Sequence, residues 1–375
     1  MFHVKRSPLV ALETELQDLE ARNLLRRPTR VGPGQTAFCS NDYLGLAESP
    51  RSAEAAVGAG ASRLVSGNTE HHAALEREIC DWLQVEGSLV FTSGYAANVG
   101  ALAALLRPGD RVLSDALNHA SIIDGVRLAR AEVEVYPHLD VAHVAAALRA
   151  RPNTPTWVVT ESYFGMDADA PDLRALAEAC GEAGAGLYVD EAHALGVYGP
   201  EGRGRCADVG VVPDVLVGTL GKAIGAGGAF VAGSDTLQRW LWNRARSFVF
   251  STGLSPLVAA EAALRVRQAR GMEEARAELH SRASELRRGL HELGCQVLGE
   301  GPVVPWVLGD ARRAVDVAAA LQGAGYFVQA IRPPTVPAGL SRLRLSVRAT
   351  HTAGEVSGLL RAVRSVQETW VASSS

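Results

Sequence analysis

The stretch WVVTESYFGMDADAPDLRALAEACGEAGAGLYVDEAH (157–193) decides the fold class. Its first run, Trp157–Glu161, is apolar and β-branched. Its middle, Pro171–Ala183, carries apolar residues at helical spacing behind a Pro-Asp start. Its last run, Gly186–Asp190, is apolar again and stops on a carboxylate. A strand, a helix and a second strand in close succession form a crossover unit, which joins parallel neighbours. Both strands are apolar on alternate and intervening positions alike, so both faces are covered.

The same alternation extends outward in both directions. Further strands are expected at Ser88–Thr92, Arg111–Ser114, Val133–Tyr136, Asp214–Thr219 and Ala229–Ala232. Helices are expected at Ala73–Gln84, Tyr95–Leu106, Ala120–Ala131 and Val141–Ala150. This pattern predicts an α/β domain with a mostly parallel sheet flanked by helices. In such sheets ligands sit beyond the carboxyl ends of the strands. After Phe250 the texture changes. Helices are expected at Pro256–Arg270, Glu273–Leu293 and Ala353–Thr369, with short β runs at Cys295–Leu298, Val304–Leu308, Phe327–Ala330 and Leu343–Val347. The last few residues, from Val371, read as an unstructured tail. The expected organisation is an N-terminal helix and extended segment (1–45), a large α/β domain (46–270) and a smaller α+β domain (271–375).

The chain has 375 residues, of which 47% are hydrophobic and 21% charged, as in an ordinary globular protein. The net charge of −4 gives no footprint for nucleic acid or an anionic membrane. No apolar run reaches the roughly 20 residues that span a bilayer. The N-terminal segment carries Glu13, Glu15, Asp18 and Glu20 and reads as an amphipathic helix rather than a signal peptide. Cys39, Cys80, Cys180, Cys206 and Cys295 are odd in number and widely spaced, which argues against disulfides and a cysteine zinc site and for a reducing cytoplasm.

Of the 37 basic residues only Lys5 and Lys222 are lysines. Lysine differs from arginine in that it loses its proton readily and forms Schiff bases. Lys222 lies in the small-residue stretch VGTLGKAIGAGG (217–228). That stretch is not a phosphate loop, because Leu216 replaces the first glycine and Ala223 the hydroxyl residue. FTSGY (91–95) is not a nucleophile elbow, because Phe91 and Tyr95 stand where glycine is needed. There is no HExxH, and no metal site is expected.

Four segments fall at or just after expected strand ends: SGYAAN (93–98), NHAS (118–121), DEAH (190–193) and TLGK (219–222). Ser93 and the backbone N–H groups after it form an anion site at a helix start. Asp190 supplies a carboxylate, His119 a flat ring, and Lys222 an amine. These are what pyridoxal phosphate (PLP) needs: a Schiff-base lysine, a partner for the ring nitrogen, a stacking surface and a phosphate cradle. A carboxylate about 4 Å from the ring nitrogen is worth roughly 4 kcal/mol at an effective dielectric of 20, or about 3 pKa units before desolvation.

From about Asn41 to Thr352 the chain resembles the α-oxoamine synthase family of fold-type I PLP enzymes. The similar motifs are FCSNDYLGLA (38–47), SRLVSGNTEHHAALE (62–76), FTSGYAAN (91–98), LNHASIIDG (117–125), LYVDEAHALGVYGPEGRG (187–204), GTLGKAIGAGGAF (218–230), FSTGLSP (250–256) and RLRLSV (342–347). The resemblance implies that Lys222 holds PLP and acts as the base at the substrate Cα. It implies that Asp190 pairs with the pyridine nitrogen, His193 contacts the phenolic oxygen and His119 stacks on the ring. Ser93, Gly94, Tyr95 and Thr219 would lie at the phosphate, with Ser251 or Thr252 reaching the phosphate of the partner in a homodimer. Asn41 and Arg344 would bind the amino-acid carboxylate, Arg26 would lie near the substrate, and His72 is a further, weaker candidate. Gly165 departs from the family, which has Ser there, and so removes one hydroxyl near the phenolic oxygen or the acyl substrate. Within the family, AIRPPTVPAGLSRLRLS (330–346) is most similar to the branch that joins L-alanine to a pimeloyl thioester, of CoA or of acyl carrier protein, in biotin biosynthesis. Sister synthases using glycine or serine, a PLP aminotransferase and a non-catalytic paralogue are the alternatives.

Overall fold

A computed structural model describes residues 8–374. The chain divides into two compact units.

The larger unit comprises residues 41–165 and 169–279. Its core is a sheet of β1 (Gly87–Phe91), β2 (Arg111–Asp115), β3 (Glu132–Tyr136), β4 (Thr156–Glu161), β5 (Gly186–Asp190), β6 (Val215–Thr219) and β7 (Ala229–Gly233). The spatial order is β1-β7-β6-β5-β4-β2-β3. Only β7 is antiparallel to its neighbours. Every expected strand of this sheet is present, within a residue or so at each end.

Side chains alternate across each strand, so the central strands β2, β4 and β5 feed two cores. Tyr188 packs on one face with Leu89, Leu102, Ile122 and Val126. Its neighbours Leu187 and Val189 pack on the other with Val144, Leu148, Leu173 and Leu176. The first face is covered by helices Gly94–Leu105, Ala120–Ala129 and Asp235–Arg244, and the second by Val141–Ala150 and Leu173–Ala183. Fully burying each such leucine or valine contributes about 1.5–3 kcal/mol. The parallel register aligns the strand ends: Glu161 pairs with Asp190, and Asp190 with Val217. Thr219, ending β6, faces Ala229, starting β7. One edge of the sheet therefore gathers the ends of β2, β4, β5 and β6.

The smaller unit comprises the described residues up to Ser40, residues 166–168 and those from His280 onward. Ser341–Ser346 is the centre of an antiparallel sheet with Val303–Gly309 and Ala330–Ile331. Thr36–Ala37 pairs in parallel with Tyr326–Phe327, and Phe38 stacks on His351 with ring centroids 4.1 Å apart. Those contacts explain why the N-terminal segment joins this unit instead of standing apart as residues 1–45. The other limit falls near 279 rather than 270 because Arg276, on the first turn of helix Glu273–Glu292, binds the carbonyls of Ala269 and Arg270.

Four α-helices were not foreseen: Arg205–Val209, Asp235–Arg244, Arg246–Val249 and Ala311–Gly323. The expected strand Cys295–Leu298 is only an isolated bridge, Val297 to Trp306. The run Phe327–Ala330 splits between two sheets, one pairing with Thr36–Ala37 and the other with Ser341–Ser346. The last helix, Ala353–Ser374, continues through the expected tail. Lys5 and Ser375 lie outside the described residues.

Candidate active site

Lys222 sits in the connection between β6 and β7, at the carboxyl edge of the sheet. The connection is held by its own backbone. Leu220 N donates to Gly228 O at 3.0 Å, Ala226 N to Leu220 O at 2.8 Å, and Gly225 N to Lys222 O at 2.8 Å. Gly225 takes a positive φ of 64°, and a Cβ there would lie 2.4 Å from Ala47 N. No other residue type fits that close approach.

Asp190 ends β5 and is 5% exposed. Ala192 N donates to its Oδ1 at 2.8 Å and Asn98 Nδ2 to its Oδ2 at 2.7 Å. Asn98 also donates to Ser121 Oγ (3.0 Å) and accepts from Tyr188 OH (2.7 Å). Ser121 Oγ lies 2.7 Å from His119 Nδ1, which also accepts from Ser121 N at 3.2 Å. Nδ1 is thus an acceptor and the ring proton sits on Nε2. Burial pushes the His119 pKa down, and the Lys222 ammonium adds to this against the opposing pull of Asp190. The imidazole is therefore neutral at physiological pH. A continuous hydrogen-bonded chain ties the carboxylate of Asp190 to the ring of His119.

Glu161 ends β4 beside Asp190 and accepts from His119 N at 2.8 Å. Burial pushes its pKa up to about 8, and the neighbouring Asp190 adds to this, while Lys222 and the His119 N–H oppose it. Two carboxyl groups at one register position share a site best when one is protonated.

His193 follows β5 within the turn that begins at Asp190. Its Nδ1 lies 2.8 Å from Tyr43 OH. A Cβ on Gly165 would come within 2.3 Å of His193 Nε2 and 2.6 Å of two ring carbons. The departure at Gly165 therefore does more than delete a hydroxyl: it clears the space that the His193 ring fills.

Ser93 caps helix Gly94–Leu105, its Oγ accepting from Ala96 N at 3.1 Å. Gly94 and Tyr95 form the first turn, and Tyr95 OH donates to Asp124 at 2.5 Å. A Cβ on Gly94 would be 4.0 Å from Thr219 Cβ, so the helix start and the end of β6 adjoin. Thr219 Oγ1 accepts from Gly221 N at 3.3 Å. The donors at this edge suit a flat aromatic ring with a basic nitrogen, an anionic tail for the helix start and Thr219, and a carbonyl carbon for Lys222.

The remaining expected residues are placed as follows. Asn41 accepts from Tyr43 OH at 3.4 Å, beside the His193 contact. Ser251 and Thr252 follow helix Arg246–Val249, and Thr252 bridges to Ser62. His72 is structural: Nδ1 completes a capping box with Thr69 and Nε2 meets Leu254 O at 2.7 Å. In the smaller unit, Arg344 is buried on strand Ser341–Ser346 and donates to Ser346 Oγ at 2.9 Å, while exposed Arg26 donates to Thr335 Oγ1 at 2.9 Å. Sequence reasoning missed Asn98, Glu161 and Tyr43. Asn98 had a signal, as a polar residue inside an alanine-rich helix. Glu161 had another, as a carboxylate closing an apolar strand.

A lysine, a carboxylate and a flat imidazole at the carboxyl edge of a mostly parallel sheet fit the PLP-enzyme class of α/β proteins. The family model for class I and II aminotransferases matches residues 33–363, and the chain belongs to that family. Among named relatives, 8-amino-7-oxononanoate synthase of Anaeromyxobacter dehalogenans (strain 2CP-1 / ATCC BAA-258) is 45% identical, with 96% of each chain covered. That of Mycolicibacterium smegmatis is 47% identical, covering 91% of this chain and 93% of the relative. Among solved structures, Sphingomonas wittichii serine palmitoyltransferase superposes with a TM-score of 0.88 at 28% identity, covering 98% of this chain and 99% of that one. The S. paucimobilis serine palmitoyltransferase with a bound PLP–myriocin aldimine gives 0.90 at 27%, covering 97% and 99%. The resemblance to α-oxoamine synthases and the fold-type I architecture are both borne out.

Proposed function

We propose that this chain condenses L-alanine with a pimeloyl thioester, releasing CO2 and the free thiol, to give 8-amino-7-oxononanoate for biotin biosynthesis. Curated relatives carrying that name are 40–47% identical over nearly the whole chain, whereas the solved serine palmitoyltransferases are 27–29% identical. The cofactor is PLP, and the donor set at the sheet edge fits it. The observation that carries the reading is the placement of Lys222, the sole lysine among the described residues, on the same sheet edge as Asp190 and His119.

In the proposed roles, Lys222 holds the cofactor carbonyl carbon, Asp190 its ring nitrogen, His119 its ring face and His193 its phenolic oxygen. Ser93, Gly94, Tyr95 and Thr219 hold its phosphate. When bound, the cofactor supplies a sink for the electron pair left at the alanine Cα. The chain does the rest. The Lys222 amine takes the Cα proton and later returns one to the same carbon. Asp190 is fixed by Asn98 and Ala192, so its charge is presented without reorganisation. His119 is fixed from both sides by Ser121 and Glu161. Asn41 and Arg344 are proposed for the alanine carboxylate, where an arginine fork matches two oxygens, and Arg26 for the substrate more generally. A homodimer, in which Ser251 or Thr252 reaches the partner's phosphate, belongs to this reading, as does a cytoplasmic location. Both pimeloyl-CoA and pimeloyl-acyl carrier protein are admitted as donors.

The test is a mass-spectrometric product assay. Alanine, glycine and serine are crossed with pimeloyl-, acetyl-, succinyl- and palmitoyl-CoA, and pimeloyl-acyl carrier protein is offered with alanine. Alanine with a pimeloyl donor gives 8-amino-7-oxononanoate and CO2. Product from another pair alone contradicts the substrate assignment, and keto-acid-dependent amino transfer without CO2 contradicts the reaction class.

A further inference from the structure

His138 stands two residues beyond β3 and takes no part in the proposed condensation. Its Nδ1 is 2.7 Å from Asp115 Oδ1, and its Nε2 is 3.2 Å from each carboxylate oxygen of Asp169. Its ring stands edge-on to Phe164, with centroids 4.5 Å apart and planes at 88°. Each carboxylate belongs to a different loop of the site. Asp115 ends β2 and accepts from Leu117 N at 2.8 Å, which sets the turn that delivers His119. Its other oxygen accepts from Leu139 N at 3.0 Å. Asp169 accepts at its backbone carbonyl from Phe164 N at 2.9 Å, which sets the segment whose Gly165 lies against His193.

We infer that His138 is a positioning residue, a clamp whose two ring nitrogens fix the loop carrying His119 and the loop backing His193 relative to one another. An imidazole donating to two carboxylates is the cationic form, with both N–H groups used. Burial pulls its pKa down, but the bonds to Asp115 and Asp169 outweigh this and push it up to about 10. His119 and His193 reach the reacting system from separate strands, so their relative placement depends on a tie between loops. A misplacement of about 1 Å in such a group costs on the order of 100-fold in rate.

The inference rests on the roles proposed for His119 and His193, but its first readout is independent of turnover. In the PLP-loaded protein, Asp169→Asn removes the charge that holds one end of the clamp without touching residues 115–121. Amide hydrogen exchange across 115–121 then rises about tenfold, and His138→Gln has the same effect. The second readout is kinetic: each variant lowers kcat about tenfold with KM for alanine within twofold. The double variant is no worse than the poorer single, as expected for groups acting as one unit. Exchange across 115–121 within twofold of the parent in folded Asp169→Asn protein overturns the clamp. Independent, multiplying losses, or unchanged kcat alongside raised exchange, overturn the positioning role. A parent protein inactive with alanine and every pimeloyl donor contradicts the proposed function instead, and leaves the exchange result to decide the clamp.

Discussion

Single residues in this site act through hydrogen-bond chains. Asn98 is the hub, since it touches Asp190, Ser121 and Tyr188 at once. Asn98→Ala takes one hydrogen bond from Asp190, from Ser121 and from the buried Tyr188 hydroxyl, and a buried group left unsatisfied costs about 1–3 kcal/mol. We expect kcat/KM to fall 10- to 100-fold in steady-state assays. Asn98→Asp places a second carboxyl against Asp190 and is expected to be worse. Gly165 is a second sensitive point. Gly165→Ala drives a methyl into the His193 ring, which must leave its contact with Tyr43. We expect at least a tenfold loss of kcat, whereas Tyr43→Phe, which loses only the hydroxyl, costs less. Equal activity of Gly165→Ala and parent would show that the His193 ring has another productive position.

At the scale of elements, Arg63 joins the SRLVSGN turn to helix Glu70–Leu83. It donates to both Glu76 oxygens at 2.8 and 3.1 Å and lies over the rings of Trp242 and Phe248. Glu76 also accepts from Val90 N in β1 at 3.0 Å. Arg63→Ala leaves that buried carboxylate without its cation, which costs about 3–5 kcal/mol. The expected readout is a clear fall in the urea midpoint of the larger unit, with Arg63→Lys recovering only part. Most sheet strands were legible as apolar runs ending on a polar residue or a turn, and the edge strand Glu132–Tyr136 by its alternation of Glu and Val. Helix Ala311–Gly323 was passed over although Asp310 caps it in the usual way, its side chain accepting from Arg313 N at 2.9 Å. Helix Asp235–Arg244 has a similar cap in Ser234, but its tryptophans and arginines blur the apolar stripe. Lys222, Asp190, His119 and His193 were legible because their chemistry stands out at strand ends. Asn98, Glu161, Tyr43 and His138 were not, because each acts on another residue distant in sequence rather than on a ligand.

For the whole molecule, buried Glu161 and half-buried His138 each make stability fall as pH rises. His138 has a folded pKa of about 10, above its unfolded value of about 6.5, and Glu161 about 8, above about 4.3. In both, the folded state holds a proton that the unfolded chain releases earlier. Each contribution is complete below its unfolded pKa and is lost as pH rises through its folded pKa. Stability measured by urea titration therefore falls from about pH 4 to pH 8 through Glu161 and from about pH 6.5 to pH 10 through His138, and Asp169→Asn, which weakens the hold on the His138 proton, flattens the upper part of that fall. A profile that rises over this range would contradict both assignments. The claim on which the functional account depends is that Lys222 is where the cofactor attaches. The chain makes that test nearly binary, since Lys5 is the one other lysine. PLP-loaded protein reduced with borohydride and digested should carry a pyridoxyl group on the peptide containing Lys222, and on no other. A label on the Lys5 peptide, or none in protein that retains bound PLP, would contradict the account.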